Sequence, residues 1–308
     1  MNHGMAAISP SSPVNSTAKF SNPIGPFLKW AGGKSRLLAQ FQKFLPDNLV
    51  GRGYVEPFLG SGAMFFHIVQ TRRPERVTLL DANPELVNLF TQIRDHLPKL
   101  IPLLIKHRDH HNAPGISVEE RKAYYYNVRD VDLPASGTPE AAARFLYLNK
   151  TCFNGLYRLN SKGKFNVPIG SYRSPSIFNA AHLATVARLL EGVRLLTADF
   201  RKLDEFIQEG DFVYLDPPYE PLSATSSFTA YAKERFTAEN QRTLRDLLIQ
   251  VSSRCQWLLS NSTAPLIEEL YEQPGMYKHY IHAGRAINSK AEGRGHIPEL
   301  VVTNYQVQ

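Results

Sequence analysis

The sequence predicts an α/β fold: an open, mostly parallel sheet with helices on both faces, interrupted by a mainly helical insert. Three observations predict it. Apolar runs of strand length recur, Val77-Thr78-Leu79-Leu80, Phe212-Val213-Tyr214-Leu215 and Trp257-Leu258-Leu259-Ser260, and near-continuous apolar strands are those buried on both faces. Two of these runs lead straight into a carboxylate, Asp81 and Asp216. A turn with glycines at 60 and 62 joins a short strand to an apolar helix, which opens a βαβ unit.

In chain order, residues 1–22 are rich in Ser, Pro, Asn and Ala without an apolar period and read as a disordered N-terminal tail. Order begins at Phe27-Leu28-Lys29-Trp30, and Ala31-Gly32-Gly33-Lys34 opens an amphipathic helix that runs to Phe44 and ends at Pro46. The strand Tyr54-Val55-Glu56 enters the glycine turn, a helix follows from Ala63 to Val69, and the strand at 77–80 closes on Asp81 before a helix around 86–93. Residues 94–178 break this rhythm with helical stretches at 118–128 and 141–148 and a polar, glycine-containing segment at 151–174. Strand runs return at 193–196, 212–215, 257–260 and 300–303. The expected organisation is therefore one Rossmann-like domain made of 23–93 and 179–308, with a second domain, 94–178, inserted between two strands of its sheet.

Charge narrows the partners. Lys and Arg number 35 against 28 Asp and Glu, and the net +7 favours a polyanion. Six basic residues and no acidic one lie between Arg144 and Arg173 (Arg144, Lys150, Arg158, Lys162, Lys164, Arg173), so nearly all of that excess sits in one segment. Interleaved with Phe153, Asn154, Tyr157 and Asn160, it has the makings of a hairpin that enters a nucleic-acid groove. Arg285, Lys290 and Arg294, with Asn288 and Ser289, suit phosphate contacts. Cys152 and Cys255 are too few for a disulfide framework or a four-cysteine zinc site and suit a reducing cytosol. No apolar run approaches the roughly 18 residues of a membrane span, and no signal-peptide pattern opens the chain. These features predict a cytoplasmic enzyme with no membrane contact. The cluster His107-Arg108-Asp109-His110-His111 has metal-ligand residue types but no companion ligands in view, and reads as a solvated helix end.

Two segments carry chemistry. Gly60 and Gly62 let the chain turn tightly after a strand, and Asp81, 19 residues beyond Gly62, stands where a carboxylate grips ribose hydroxyls. Phe65 occupies the place of the third small residue of a dinucleotide fingerprint, which favours a nucleoside without a pyrophosphate. Gly33-Lys34-Ser35 lacks the earlier glycine of a phosphate loop, because Leu28 stands there, so an NTPase is excluded and Lys34 is left to pair with a carboxylate. The second segment is Asp216-Pro217-Pro218-Tyr219, directly after an apolar strand and so at the ligand-binding edge of such a sheet. Its prolines fix the backbone and remove two donors, Asp216 adds an acceptor, and Tyr219 offers a flat face. Together they suit a planar heterocycle bearing an amino group.

With these motifs in place, the chain resembles the Dam-type DNA adenine N6-methyltransferases. The resemblance rests on Phe27–Lys34 (FLKWAGGK), Glu56–Gly62 (EPFLGSG), Asn154–Arg158 with Phe165–Gly170, the Asp216–Tyr219 tetrapeptide, and the segment after it, Pro221–Thr225 with Phe228, Thr229 and Tyr231. It implies a class I methyltransferase fold, with S-adenosyl-L-methionine as donor, S-adenosyl-L-homocysteine as product, and no metal. The donor would be held by Trp30, Lys34, Asp81 and Asp216, with Phe58, Gly60 and Gly62 along its methionine side and Asp199 and Phe200 against its adenine. The substrate implied is duplex DNA, with GATC as the site, and the expected species is a monomer in the cytoplasm of a bacterial or phage-host cell. Asp216, Pro217, Pro218 and Tyr219 would act on a flipped adenine. Lys29 resembles the lysine that reads an outer guanine, and Arg158 is the candidate for a bidentate guanine contact. Leu156 and Pro168 are candidates for thymine methyl contacts, and Asn154 lies in the same DNA-reading hairpin. Phe153 stands where the family commonly has a tyrosine that wedges into the stack; the ring is kept and the hydroxyl is not. Two other readings stay open at this point: a methyltransferase acting on glutamine amides in proteins, which usually has Asn at the Asp216 position, and a DNA-binding module of the same fold without catalysis.

Overall fold

The computed structural model describes residues 23–134, 136–222, 236–284 and 296–307. The N-terminal tail, residues 223–235, and the phosphate candidates Arg285, Lys290 and Arg294 lie outside them. The strands are β1 (Gly53–Glu56), β2 (Arg76–Asp81), β3 (Arg194–Thr197), β4 (Phe212–Leu215), β5 (Gln256–Ser262), β6 (Tyr277–Gly284) and β7 (His296–Thr303). They form one sheet in the order β3-β2-β1-β4-β5-β7-β6. The first five pair in parallel, whereas β7 runs antiparallel to both β5 and β6.

Strand alternation divides the core between two faces. Tyr54, Tyr214, Leu258 and Val301 point to one, where α2 (Ala63–Thr71), α3 (Pro84–His111) and α6 (Ala180–Leu189) pack. Val55, Val213, Trp257, Leu259 and Val302 point to the other, covered by α7 (Ala238–Val251) and α8 (Pro265–Leu270). The mixed α/β sheet with helices on both faces is the expected class. β6 escapes an apolar-run criterion because it is an edge strand whose sequence, Tyr-Lys-His-Tyr-Ile-His, buries little besides Ile281.

Local differences have local causes. The helix expected over 34–44 is three short pieces: a 3₁₀ turn at Lys34–Arg36, α1 (Leu38–Phe41), and another 3₁₀ turn at Gln42–Phe44. The helix near 86–93 continues as α3 to His111, with Asn83 capping its first turn and non-helical angles at His96 (φ −137°, ψ 28°). Pro98 explains that kink, because its nitrogen cannot donate to the preceding turn and its ring crowds it. Between β2 and β3 also lie α4 (Val118–Asp130), with a capping box from Ser117 and Glu120, and α5 (Pro139–Thr151). Ala142, Ala143, Phe145 and Leu146 of α5 join the core of the sheet, while Tyr147 and Leu148 join a separate cluster with Tyr125, Cys152, Phe165 and Val167.

Three expectations need correction. The hairpin of the basic segment is no ladder but two isolated antiparallel bridges, Cys152 with Ile169 and Leu159 with Phe165. The Asn160 carboxamide explains this, since it accepts from the amides of Lys162 (2.9 Å) and Lys164 (3.0 Å) and closes a side-chain turn in place of regular pairing. Arg144 is not a surface charge. It is buried on Glu85 (3.0 Å) and on the carbonyls of Val128 and Arg129, so part of the local positive charge is internal. His111 is not solvated either: its Nδ1 pairs with the Tyr147 hydroxyl at 2.8 Å and only 1% of it is exposed.

At the far end of the sheet, Asp211 is buried just before β4 and accepts from the amides of Gly53 and Gln208 (both 2.9 Å) while pairing with Arg76 at 3.0 Å. Asp211→Ala strands those donors and a partly buried cation, so it is expected to cost about 2–4 kcal/mol. Urea unfolding should show a lower midpoint at unchanged slope. Activity per folded molecule should persist, because Asp216 is at the opposite end of the same strand.

Candidate active site

The chain leaves β1 toward β2 and β3 on one side, and resumes at β4 on the other side of β1. A crevice opens at such a reversal, outside the carboxyl ends of the strands. Glu56 ends β1, Asp81 ends β2 and Asp216 follows β4. Because β7 is antiparallel, its beginning arrives at this same edge, with Glu299 opposite Ser262 of β5.

Lys34, with 4% of its side chain accessible, organises this edge. Its ammonium donates to Asp216 Oδ1 at 2.9 Å and to the Gly32 carbonyl at 2.8 Å, and lies 3.9 Å from Glu299 Oε2. It also stands 4.6 Å from the centre of the Tyr219 ring. The Tyr219 hydroxyl bonds to Glu299 Oε2 (2.9 Å) and to Ser260 Oγ (2.6 Å). A carboxylate only accepts, so the phenol proton goes to Glu299 and Ser260 donates to the phenol oxygen. Pro217 is buried, and the Pro218 carbonyl accepts from Gln241 Nε2 of α7 at 3.1 Å. Gln241 is held in turn by Asn261 of β5 (3.1 Å). Burial raises the Asp216 carboxyl above the usual range, opposed by the Lys34 ammonium. Burial and the neighbouring carboxylates push the Tyr219 phenol well up, so it remains a donor.

The glycine turn shapes a second subsite. Gly60 (φ +49°) and Gly62 (φ +73°) adopt left-handed conformations, and a Cβ on Gly60 would come within 3.0 Å of the Trp30 indole. The Gly60 amide donates to Asp81 Oδ2 (3.1 Å) and the Asn83 amide to Oδ1 (2.9 Å). Burial lifts Asp81 to about 6, against those two bonds. A carboxylate has about four acceptor positions, so each oxygen retains one for a ligand's hydroxyl. Phe58 stacks on Phe200 at 5.6 Å and meets Phe236 edge-on at 5.7 Å. Asp199 is exposed, caps the 3₁₀ turn that starts at Phe200, and pairs with Arg201 at 2.9 Å.

The basic loop is tied to this end of the sheet. Asn149 of α5 accepts from the Lys29 amide (3.0 Å) and donates to the Lys29 carbonyl (2.6 Å). Lys29 Nζ reaches the Lys150 carbonyl (3.2 Å) and lies 3.7 Å over the Tyr172 ring. A Cβ on Gly155 would sit 2.4 Å from Lys29 Cβ, so the loop lies directly against Lys29. Asn154 is left-handed (φ +54°), and Phe153 and Leu156 are 50% and 41% exposed beside Pro168, whose carbonyl accepts from the Phe153 amide (2.9 Å). The Arg158 guanidinium bonds to the side chain (2.6 Å) and carbonyl (3.2 Å) of Asn166. Trp30 stacks on Tyr157 at 6.1 Å, which joins the loop to the glycine-turn subsite.

Comparison with known proteins then decides the family. Residues 30–287 match the model of the D12 class N6 adenine-specific DNA methyltransferases. The chain belongs to that family. It is 40% identical to the Type II methyltransferase M1.LlaDCHI of Lactococcus lactis subsp. cremoris, over 92% of this chain and 96% of that protein. It is 39% identical to the Type II methyltransferase M.MjaIII of Methanocaldococcus jannaschii (92% and 99% covered) and 36% identical to the DNA adenine methylase of Haemophilus influenzae (90% and 92%). Its activity is therefore that of an adenine-specific DNA methyltransferase.

Within this methyltransferase, Glu299, Ser260 and Gln241 join the site without a motif to announce them. Glu299 carried one legible signal, a lone acid opening an apolar strand. The cation at Lys34 also makes a pH prediction. With Lys34→Met, burial and Glu299 act on Asp216 with only the Tyr219 hydroxyl to oppose them and raise its pKa further, and the ionised form is lost as pH falls through that value. The acid limb of the kcat–pH profile is expected to move to higher pH than in the wild type; an unmoved limb would show that Asp216 does not govern it.

Proposed function

We propose that the chain transfers a methyl group from S-adenosyl-L-methionine to N6 of an adenine rotated out of duplex DNA, within GATC. The observation that carries this reading is the Asp216–Tyr219 turn, fixed by Lys34, Glu299, Ser260 and Gln241 at the crevice beside the Asp81 subsite. The donor supplies a sulfonium-bound methyl carbon, an electrophile with a good leaving group. Asp81 would accept from its ribose hydroxyls, Phe200 with Asp199 would wall its adenine, and Trp30, Phe58, Gly60, Gly62 and Lys34 would border its methionine end. Residues 23–93 and 179–308 form the catalytic domain in this reading, and 94–178 the target-recognition domain.

An adenine inside a duplex cannot present N6, and extruding it costs about a few kcal/mol of stacking and pairing. Tyr219 stacks on the extruded ring. Asp216 and the Pro217 carbonyl accept the two N6 hydrogens, which withdraws the nitrogen lone pair from the ring and aims it for attack. Among the described residues none donates to the Pro217 carbonyl, which leaves that oxygen for the base. Positive charge grows on N6 as the new bond forms, so a fixed carboxylate stabilises the transition state more than the ground state. Lys29, Phe153, Asn154, Leu156, Arg158 and Pro168 read the duplex, and Arg285, Lys290 and Arg294 contact phosphates.

Plasmid lacking adenine methylation, treated with the protein and S-adenosylmethionine, should become resistant to a GATC nuclease blocked by methylation and sensitive to one that requires it. Asp216→Ala should abolish this conversion in protein that circular dichroism shows still folded at the assay temperature, although losing the Lys34 partner lowers its melting temperature; retention of more than about a tenth of the wild-type kcat, a loss below ~1.4 kcal/mol, contradicts the role. Arg158→Ala should lose about 1–3 kcal/mol of discrimination at a single base pair. Equal losses on cognate and singly substituted sites would remove Arg158 from base reading.

A further inference from the structure

We infer that Glu299 is a positioning residue of the methyl-transfer site: it holds the Tyr219 ring in its base-stacking orientation and shares the Lys34 ammonium with Asp216. The inference rests on the reading of Tyr219 and Asp216 given above. Three elements distant in sequence meet at this carboxylate. Its Oε2 accepts the Tyr219 hydroxyl at 2.9 Å and lies 3.9 Å from Lys34 Nζ, while Ser260 of β5 holds the phenol oxygen from its other side at 2.6 Å. A tyrosine that stacks on a base through its face has one polar handle, at the ring's far end. Two partners on two strands fix the position of the phenol oxygen, so a change of χ1 would break one bond or the other, while turning of the ring about its own axis is resisted because the phenol O–H donates best in the ring plane. The ammonium beside the ring face adds a third restraint, at 4.6 Å from its centre.

Glu299 also acts on the reacting carboxylate. Lys34 is 2.9 Å from Asp216 and 3.9 Å from Glu299, so one cation serves two acids. The groups that face Asp216 are Lys34 from the 3₁₀ turn Lys34–Arg36, Glu299 from β7, Tyr219 of its own loop, Tyr214 of β4 and Glu56 of β1. Of these, Glu299 is the carboxylate that raises the Asp216 pKa. Removing its charge lets Lys34 serve Asp216 alone, and both changes lower that pKa. A part that merely supports the fold would have no such effect.

The test is steady-state methylation by Glu299→Gln, which keeps the shape of the side chain and removes its charge, alone and on a Tyr219→Phe background. Glu299→Gln should lower kcat about tenfold with the KM for DNA within about twofold, and move the acid limb of kcat about half a unit or more to lower pH. On the Tyr219→Phe background, which has no hydroxyl to hold, the kcat loss should shrink below about threefold. Glu299→Asp keeps the charge but shortens the reach, so it should lower kcat while its acid limb stays at the wild-type position. The inference is overturned if Glu299→Gln keeps kcat within twofold, if its loss multiplies fully with that of Tyr219→Phe, or if melting temperature and kcat fall together while the acid limb stays put. Should Glu299→Gln not fold, an acid limb displaced in Glu299→Asp overturns it instead. Asp216→Ala, run in parallel, separates the two failures: an active Asp216→Ala sinks the reading of the turn itself, whereas an inactive one beside an unaffected Glu299→Gln sinks only the role of Glu299.

Discussion

One buried ammonium holds the site together. Lys34 is almost wholly removed from water, and an unpaired charge there would cost several kcal/mol. It is satisfied by Asp216, Glu299 and the Gly32 carbonyl, which come from the loop after β4, the first half of β7 and the segment just before Lys34. Neither acid could easily stay ionised beside the other without that cation. The same group that stabilises the two carboxylates therefore fixes the spacing between three chain segments. Counted formally, Lys34, Asp216 and Glu299 together carry −1, which suits a reaction that develops positive charge on the substrate nitrogen.

A second set of contacts joins this edge to the basic loop. The segment Phe27–Trp30 lies between the core of the sheet and α5, with its Lys29 main chain bonded on both sides to Asn149 and its Trp30 indole stacked on Tyr157. Tyr157 also donates to Glu85 (2.7 Å), the acid that pairs with Arg144, and Glu85 lies in the first turn of the helix that follows Asp81. Buried aromatic contacts and a charge-assisted bond thus run from the Asp81 subsite to the loop that carries Arg158. Donor-side and target-side residues sit on one packed unit, so their relative position is set by packing rather than by a flexible linker.

What was legible in the sequence was what the chain encodes locally. β4 ends where the apolar run ends, and the carboxylates Asp81 and Asp216 stand at strand ends because a buried strand terminates at its first polar residue. Glu299 was barely legible for a geometric reason: the rule that ligands gather at the carboxyl ends of strands points away from a residue in the first half of a strand, unless β7 is known to run antiparallel. Arg144 and His111 looked like solvated charges because nothing in sequence shows that Glu85 and Tyr147 close over them, 59 and 36 residues away. The expected hairpin gave way to two bridges for the opposite reason, a local competitor: the Asn160 side chain takes the amides that a ladder would need.

The two prolines of the turn do different jobs, and their difference explains why the tetrapeptide needs both. Pro217 is buried, and its carbonyl, reached by none of the described donors, is the acceptor that the proposed mechanism assigns to the substrate. Pro218 is exposed, and its carbonyl is already bonded to Gln241, which Asn261 holds from β5. Ser262 then fixes the chain just beyond Tyr219 by donating to the Glu220 carbonyl at 2.7 Å. With φ locked twice by the rings and the carbonyls of Pro218 and Glu220 tied to α7 and β5, the backbone has almost no freedom left at Pro217. The free acceptor is held still by the occupied ones beside it, so little reorganisation remains when a base arrives.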